Sequence, residues 1–488
     1  MNGLDAAVRA AEDAAVSVRT YVPGYPITDL AQALRCQISV NEKVALEIAL
    51  GASATGLRSL VVVKQVGMNL LADPLVISAT HGIGSGVVVL VGDDLGPRRS
   101  QAEMDSRFYA PLSELPLLDP CRPGHLYASL LEAYALSEKL RIPVMVRVTS
   151  RLLSAQEEHI PSRPLPATGQ RFEKENWELT AKGRHQRHHD RIMALAQEAS
   201  ESSTLNQVQI CGEIGIIASG HPASLAQRLD VSVLTLAYSH PLPERLLRRF
   251  MDGHRLILVA EEPEPFIESI LSENPKIRGK LTGHLPRGAL ERQNIIQALK
   301  GLESRPERRP QAYESVAERG YEGVCPDCPF QTLFSALAKV DTPVAGDAGC
   351  SIRATREPFC SADVAYGLGS SAAVASGFSA KGIALMGDYA LAHSGLAGLI
   401  NAVWQKRDLL AVVLKNDVAA MTGFQEVPDL SGILETLLPT RYLDLPAEEE
   451  VVQAALREEL ARRGPSALVA RGRCVRRTDA SKKERREN

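Results

Sequence analysis

Short runs of aliphatic and β-branched residues recur along this chain, each closed by Gly, Pro or polar residues and followed by a helix-length amphipathic stretch. In the first third the runs cover 60–64, 86–92 and 142–148, with helical patterns at 42–52 and 125–140 between them. The pattern returns at 213–219, 232–237 and 255–261, and again at 382–388, 409–416 and 466–472. A strand that is apolar at every position has no face to give to water, so both faces must be covered. Such strands alternating with helices predict parallel sheets with crossover helices. The expected fold class is α/β, built as three doubly wound domains.

Two stretches break the pattern. Residues 151–212 are polar, punctuated by Pro and then helical, and residues 301–320 are charged with few large apolar side chains. Read as linkers, they leave domains at 1–150, 213–300 and 321–475. A basic tail, 476–488, reads as a solvated end or as a docking arm for an acidic partner. The 55 basic and 58 acidic residues give a net charge of −3, so no global field draws the chain to nucleic acid or an anionic membrane. Apolar runs such as 86–92 fall far short of the ~20 residues that span a bilayer. Asp5, Arg9, Glu12 and Asp13 near the start argue against a signal peptide, and the eight cysteines are too sparse for a disulfide scaffold. A cytoplasmic protein is expected.

The strongest chemical signal is Gly387-Asp388-Tyr389 at the end of one apolar run, followed by Lys415-Asn416 at the end of the next. Both fall at carboxyl ends of predicted parallel strands, where open α/β sheets bind ligands. A carboxylate and an amide oxygen brought together there suit Mg²⁺, a hard cation that completes its shell with ligand phosphates. Ser394-Gly395 precedes a predicted helix at 396–403, whose first amides would face an anion. Taken singly, Asp388 reads as an N-cap and Asn416 as a turn residue; the pair at this spacing favours metal and diphosphate.

Beyond these two positions, a longer series of segments resembles one family. CPDCPF (325–330), AGDAGCS (345–351), GDYALAHSGLAGLINAV (387–403) and AAMTGFQ (419–425) are similar to the large subunit of indolepyruvate:ferredoxin oxidoreductases. So are GYPITD (24–29), SVNEKVALEIALGAS (39–53), VKQVGMNLLADP (63–74), SQAEMDSRFYA (100–110) and VAEEPEPFIE (259–268). The resemblance implies a pyrimidine-binding domain at 1–150, a transketolase-C-terminal-like domain at 213–300, and a Mg²⁺- and diphosphate-binding domain at 321–475. It implies thiamine diphosphate with Mg²⁺ held by Asp388, Asn416 and the backbone of Val418. Gly387, Gly369, Ser394, Cys325 and Cys350 would line the cofactor, and Thr28 would lie near substrate or cofactor. Glu42 takes the place of the activating glutamate: a carboxyl group at N1′ of the aminopyrimidine favours the tautomer that takes a proton from the thiazolium ring. Without the resemblance, Glu42 reads as a first-turn carboxylate complementing a helix dipole.

The implied activity is oxidative decarboxylation of an aryl 2-oxo acid to an acyl-CoA, in a homodimer or a heterotetramer with a small second subunit. The family's runs of closely spaced cluster-binding cysteines are missing, so no iron–sulfur cluster is expected in this chain and a separate ferredoxin-type protein would take the electrons. Cys325-x-x-Cys328 lacks a second closely spaced pair to complete four ligands. Gln65 and Phe330 stand where the family has histidines, which leaves a non-oxidative decarboxylase or lyase, or a non-catalytic cofactor-binding subunit, as alternatives. The glycines 367 and 369 read as close diphosphate approach or as tight helix packing. Ser100, Gln101, Glu103, Asp105 and Arg107 form a polar strip, either a loop network or a pocket wall. His185, His188 and His189 read as a solvated helix face, with adventitious metal binding behind it.

Overall fold

The computed structural model describes residues 1–96, 100, 102–304 and 323–477. Gln101, most of the 301–320 stretch and most of the basic tail lie outside the described residues. The chain divides into two compact units, Met1–Ala312 and Tyr313–Asn488.

The first unit holds two sheets. Strands β1 (Val18–Tyr21), β2 (Gln37–Ile38), β3 (Ser59–Lys64), β4 (Val87–Asp93), β5 (Leu117–Leu118) and β6 (Val144–Thr149) belong to the first. The second is made by β7 (Gln207–Gln209), β8 (Ile214–Ser219), β9 (Ser232–Leu236), β11 (Leu256–Ala260) and β12 (Ile277–Arg278), in the order β12-β11-β8-β9-β7. Between β9 and β11 the chain leaves its own sheet. Strand β10 (Tyr238–His240) pairs antiparallel with β5 and completes the first sheet, in the order β10-β5-β6-β4-β3-β1-β2. All other neighbours in that sheet are parallel. Every residue of β4 and β6 is buried, as two covered faces require.

Buried ion pairs join the two sheets. Arg147, on β6, donates to Asp93 at 2.6 Å, to Asp119 at 3.1 Å and to the Glu262 carbonyl at 3.1 Å. Arg107 is fully buried between Asp105 (2.6 Å) and Glu261 (2.7 Å). Asp119 also accepts from the Ser219 hydroxyl at 2.9 Å. The polar strip is thus a loop network at Asp105 and Arg107, anchored on the second sheet.

The 151–212 stretch does not run free. Pro166 O accepts from Arg58, Phe172 N donates to Ala54 O, and Leu165 N donates to Asp13 O, so it lies along the first sheet's covering helices. It then forms a continuous helical segment through Ala181–Arg187, a π turn at His188–Met193, and Ala194–Ser202.

The second unit is built on β13 (Val344–Gly346), β14 (Val364–Ala365), β15 (Gly382–Gly387), β16 (Leu409–Lys415), β19 (Thr440–Asp444) and β20 (Ser466–Arg471). The order is β14-β13-β15-β16-β20-β19, all parallel. A two-stranded ribbon, β17 (Val418–Ala419) with β18 (Gln425–Glu426), follows β16. Apolar clusters cover both faces of this sheet. No helix among the described residues is long and apolar enough to cross a membrane.

Candidate active site

In the first unit, the candidate residues gather at the carboxyl ends of β1, β3 and β4. Glu42 opens the helix Glu42–Ala54, whose N-cap Asn41 accepts from Val44 N at 2.9 Å. Its carboxyl group is buried against Gly67, where a Cβ would lie 2.4 Å from Oε1, so only glycine leaves room. Lys64, the last residue of β3, packs on Gly24. Burial lowers its pKa, opposed by the charges of Asp94 and Glu42. Gln65 is fully buried. Its amide donates to Ser100 at 3.3 Å, Ser100 donates to Asp94 at 2.8 Å, and its Oε1 has no hydrogen-bond partner among the described residues. Thr28 closes the turn 24–28: its hydroxyl donates to Gly24 O and accepts from Gly24 N. That hydroxyl is committed to the turn.

In the second unit, Asp388 and Asn416 meet. Asp388 Oδ2 accepts from Asn416 N at 2.9 Å and Asp417 N at 2.7 Å, and Oδ1 accepts from Tyr389 N at 2.9 Å. Asn416 Oδ1 accepts from Val418 N at 3.0 Å. Asp388 Oδ1 and Asn416 Oδ1 each accept one bond and keep a lone pair for a cation, whereas Oδ2 is committed to its two backbone donors. Burial pushes the Asp388 carboxyl up to about 6 against its backbone donors. A Cβ on Gly387 would meet open space, whereas one on Gly369 (φ +83) would lie 2.7 Å from Ser394 Cβ and 2.8 Å from Gly395 N. Gly369 is therefore required for tight packing on the 388–404 helix.

That helix corrects one expectation. It begins at Asp388, passes through a π turn at Leu391–Gly395 and continues as Leu396–Trp404. Ser394 is thus inside the helix, its hydroxyl 2.7 Å from His393 Nδ1, and the amides after it are not a free N-terminus. The free end lies at Gly387-Asp388.

Spacing along the chain does not show which cysteines are neighbours. Cys350 starts the helix Cys350–Arg353, and its thiol interacts with Cys328, Cys474 and Cys325; burial pushes it up to about 12 and Cys328 up to about 11. Gly472, beside Cys474, packs on Pro329, where an added Cβ would lie at 2.9 Å. Arg353 donates to Gly323 O at 3.2 Å, tying the Cys350 segment to the one that carries Cys325 and Cys328. Four thiols from three distant segments therefore gather without a second closely spaced pair. Among the described residues, no three of them have sulfurs all within 4.8 Å of one another.

Asp347, at the end of β13, sits beneath Gly369. It accepts from Gly369 N at 2.6 Å, Ala348 N at 2.8 Å and Ser371 N at 3.3 Å, and burial still pushes it up to about 6. A carboxyl at about 6 when folded and 3.8 when unfolded favours folding below 3.8, and this contribution is lost as pH rises through 6. The loss is about 3 kcal/mol for this group. In urea titrations between pH 4 and 7, Asp347→Asn is expected to flatten that fall relative to the unsubstituted chain.

The family model for "Thiamine pyrophosphate enzyme, C-terminal TPP binding domain" matches residues 347–443, the stretch that carries Asp388 and Asn416. Indolepyruvate oxidoreductase subunit IorA of Methanothermobacter thermautotrophicus is 33% identical over 474 residues, covering 88% of this chain and 76% of the relative. The chain belongs to the IorA family. IorA of Archaeoglobus fulgidus is 30% identical, with 87% and 76% covered, so the chain spans about three quarters of the length of these relatives. Among solved structures, a 2-oxoglutarate:ferredoxin oxidoreductase from Magnetococcus marinus matches 62% of this chain and 64% of its own at 15% identity, with a TM-score of 0.47. As an IorA-family member, the chain is a subunit of a thiamine diphosphate-dependent oxidoreductase.

Proposed function

We propose that the chain carries the catalytic centre for oxidative decarboxylation of an aryl 2-oxo acid of the indolepyruvate type. The 2-oxo acid and CoA give an acyl-CoA, CO₂, a proton and two electrons. The observation that carries this reading is the junction of Asp388 with Asn416 at the ends of β15 and β16, inside the stretch matched by the thiamine family. Oxygen donors with spare lone pairs fit Mg²⁺, which Asp388, Asn416 and the Val418 backbone would hold. The diphosphate would lie over Gly387, with Gly369 fixing the helix beside it. Bound there, thiamine diphosphate would supply a nucleophilic ring carbon and an electron sink for decarboxylation. Glu42, packed on Gly67, would hold the aminopyrimidine.

Cys325 and Cys350, expected to line the cofactor, are better explained together with Cys328 and Cys474. Four thiolates suit an iron–sulfur cluster. Tetrahedral zinc with 2.3 Å bonds would draw the sulfurs to about 3.8 Å apart. A cluster held by these four thiols would pass electrons to a ferredoxin-type acceptor. Exposed Ile48, Val76, Ile77 and Phe108 leave apolar surface for a second copy or a small subunit.

The test is anaerobic reconstitution of the full chain with iron, sulfide, Mg²⁺ and thiamine diphosphate, followed by assay with indolepyruvate. Iron–sulfur absorption and turnover that needs both ferredoxin and CoA are expected. Aldehyde formed without any acceptor would instead make the protein a lyase, and a colourless protein lacking iron would remove the electron relay.

A further inference from the structure

The first unit carries a second set of ligands that the reaction does not use. His185 and His189 stand one helical turn apart on the segment Ala181–Met193, with ring centroids 4.5 Å apart. Histidines at i and i+4 present their nitrogens on one helix face, the spacing that zinc sites on helices use. Facing them is Glu114, which follows the helix Tyr109–Ser113 and precedes β5. His189 Nε2 lies 3.1 Å from Glu114 Oε1. The ligand atoms of Glu114, His185 and His189 all fall within 4.8 Å of one another, the one such group of three or more among the described residues.

Three further observations show that the group is organised. His188 is buried, and its Nε2 lies 3.2 Å from the Glu114 carbonyl and 3.4 Å from Oε2, so it anchors the Glu114 backbone as a neighbour of the site. Arg184 and Arg187 are turned away: one stacks over Trp177 and donates to Leu179 O, the other donates to Asn176. The helix passes through a π turn at His188, a local rewinding found often at functional sites.

We infer that Glu114, His185 and His189 form a site for one divalent transition-metal ion of the zinc class, with a fourth position open to water. Two imidazoles and a carboxylate are a zinc donor set, and tetrahedral bonds of 2.0–2.1 Å place ligand atoms about 3.3 Å apart; the His189–Glu114 pair is at 3.1 Å and all three ligand atoms lie within 4.8 Å. The ion would staple the 151–212 stretch to the first sheet, because its ligands come from both.

Cobalt titration of the full chain tests this with a readout that distinguishes the site from the thiols. The expected result, beside any thiolate charge-transfer bands from the cysteine group, is one equivalent of Co²⁺ with a visible d–d spectrum free of them, displaced by Zn²⁺ and accompanied by a rise in Tm. Cys325→Ser/Cys328→Ser should keep that spectrum and His185→Ala/His189→Ala should lose it. Glu114→Gln should weaken binding at least about 10-fold. Since His185 and His189 are exposed, the double variant should melt like the unsubstituted chain without metal. Sulfur-dominated spectra alone, an unchanged spectrum in the double variant, or no saturable binding would each overturn the site.

Discussion

Glu42→Gln should leave thiamine diphosphate affinity near that of the unsubstituted chain and lower turnover about 10²–10⁴-fold, the range lost with a positioned acid or base. The side chain is buried at the first position of its helix and packed on Gly67, so an amide of the same shape fits without a cavity. What changes is the proton: Gln cannot share one with a ring nitrogen as a carboxyl group does. Gly67→Ala should give a similar phenotype from the backbone side, because the new methyl group would sit 2.4–2.8 Å from the Glu42 carboxyl atoms and displace them. Calorimetric cofactor binding and steady-state decarboxylation separate the two effects. Retained turnover in Glu42→Gln would mean that another group does this work, and lost binding would mean that Glu42 only shapes the site.

The sheets were legible in the sequence for the reason that makes them stable. Runs such as 86–92 and 409–416 are apolar at nearly every position because both faces are covered, and the structure places strands there at Val87–Asp93 and Leu409–Lys415. The meeting of Asp388 with Asn416 was legible too, since each ends a neighbouring parallel strand. Other features had no local signal. Strand β10 is three residues long and follows β9 almost at once, so nothing in its own pattern says that it serves a different sheet. The helix start at Asp388 was hidden because Ser394-Gly395 looks like a cap, while the π turn carries the helix through it. The cysteine group escaped an argument from spacing because Cys350 and Cys474 come from distant turns. The fully buried Arg107 and Arg147 look like surface charges in sequence, and only the fold shows the carboxylates that face them.

Arg147 is where the fold should be most fragile. One guanidinium serves Asp93, Asp119 and the Glu262 carbonyl, and it does so where the first sheet meets the second. Arg147→Met fills much of the volume but leaves two carboxylates without their cation. Breaking a buried pair from one side costs about 3–5 kcal/mol, because the remaining charge has neither water nor partner. Burial already raises the Asp93 pKa against the pull of Arg147, and losing that pull raises it further. A carboxyl whose folded value lies above its unfolded value favours folding at low pH and loses that contribution as pH rises. The penalty of Arg147→Met should therefore be full at pH 7 and above and shrink toward pH 4. Arg147→Lys should recover only part of it, since a single ammonium cannot meet all three acceptors in a fixed fork. Urea midpoints for the three proteins across this pH range provide the measurement. A penalty independent of pH would show that packing, and not charge, is what Arg147 contributes.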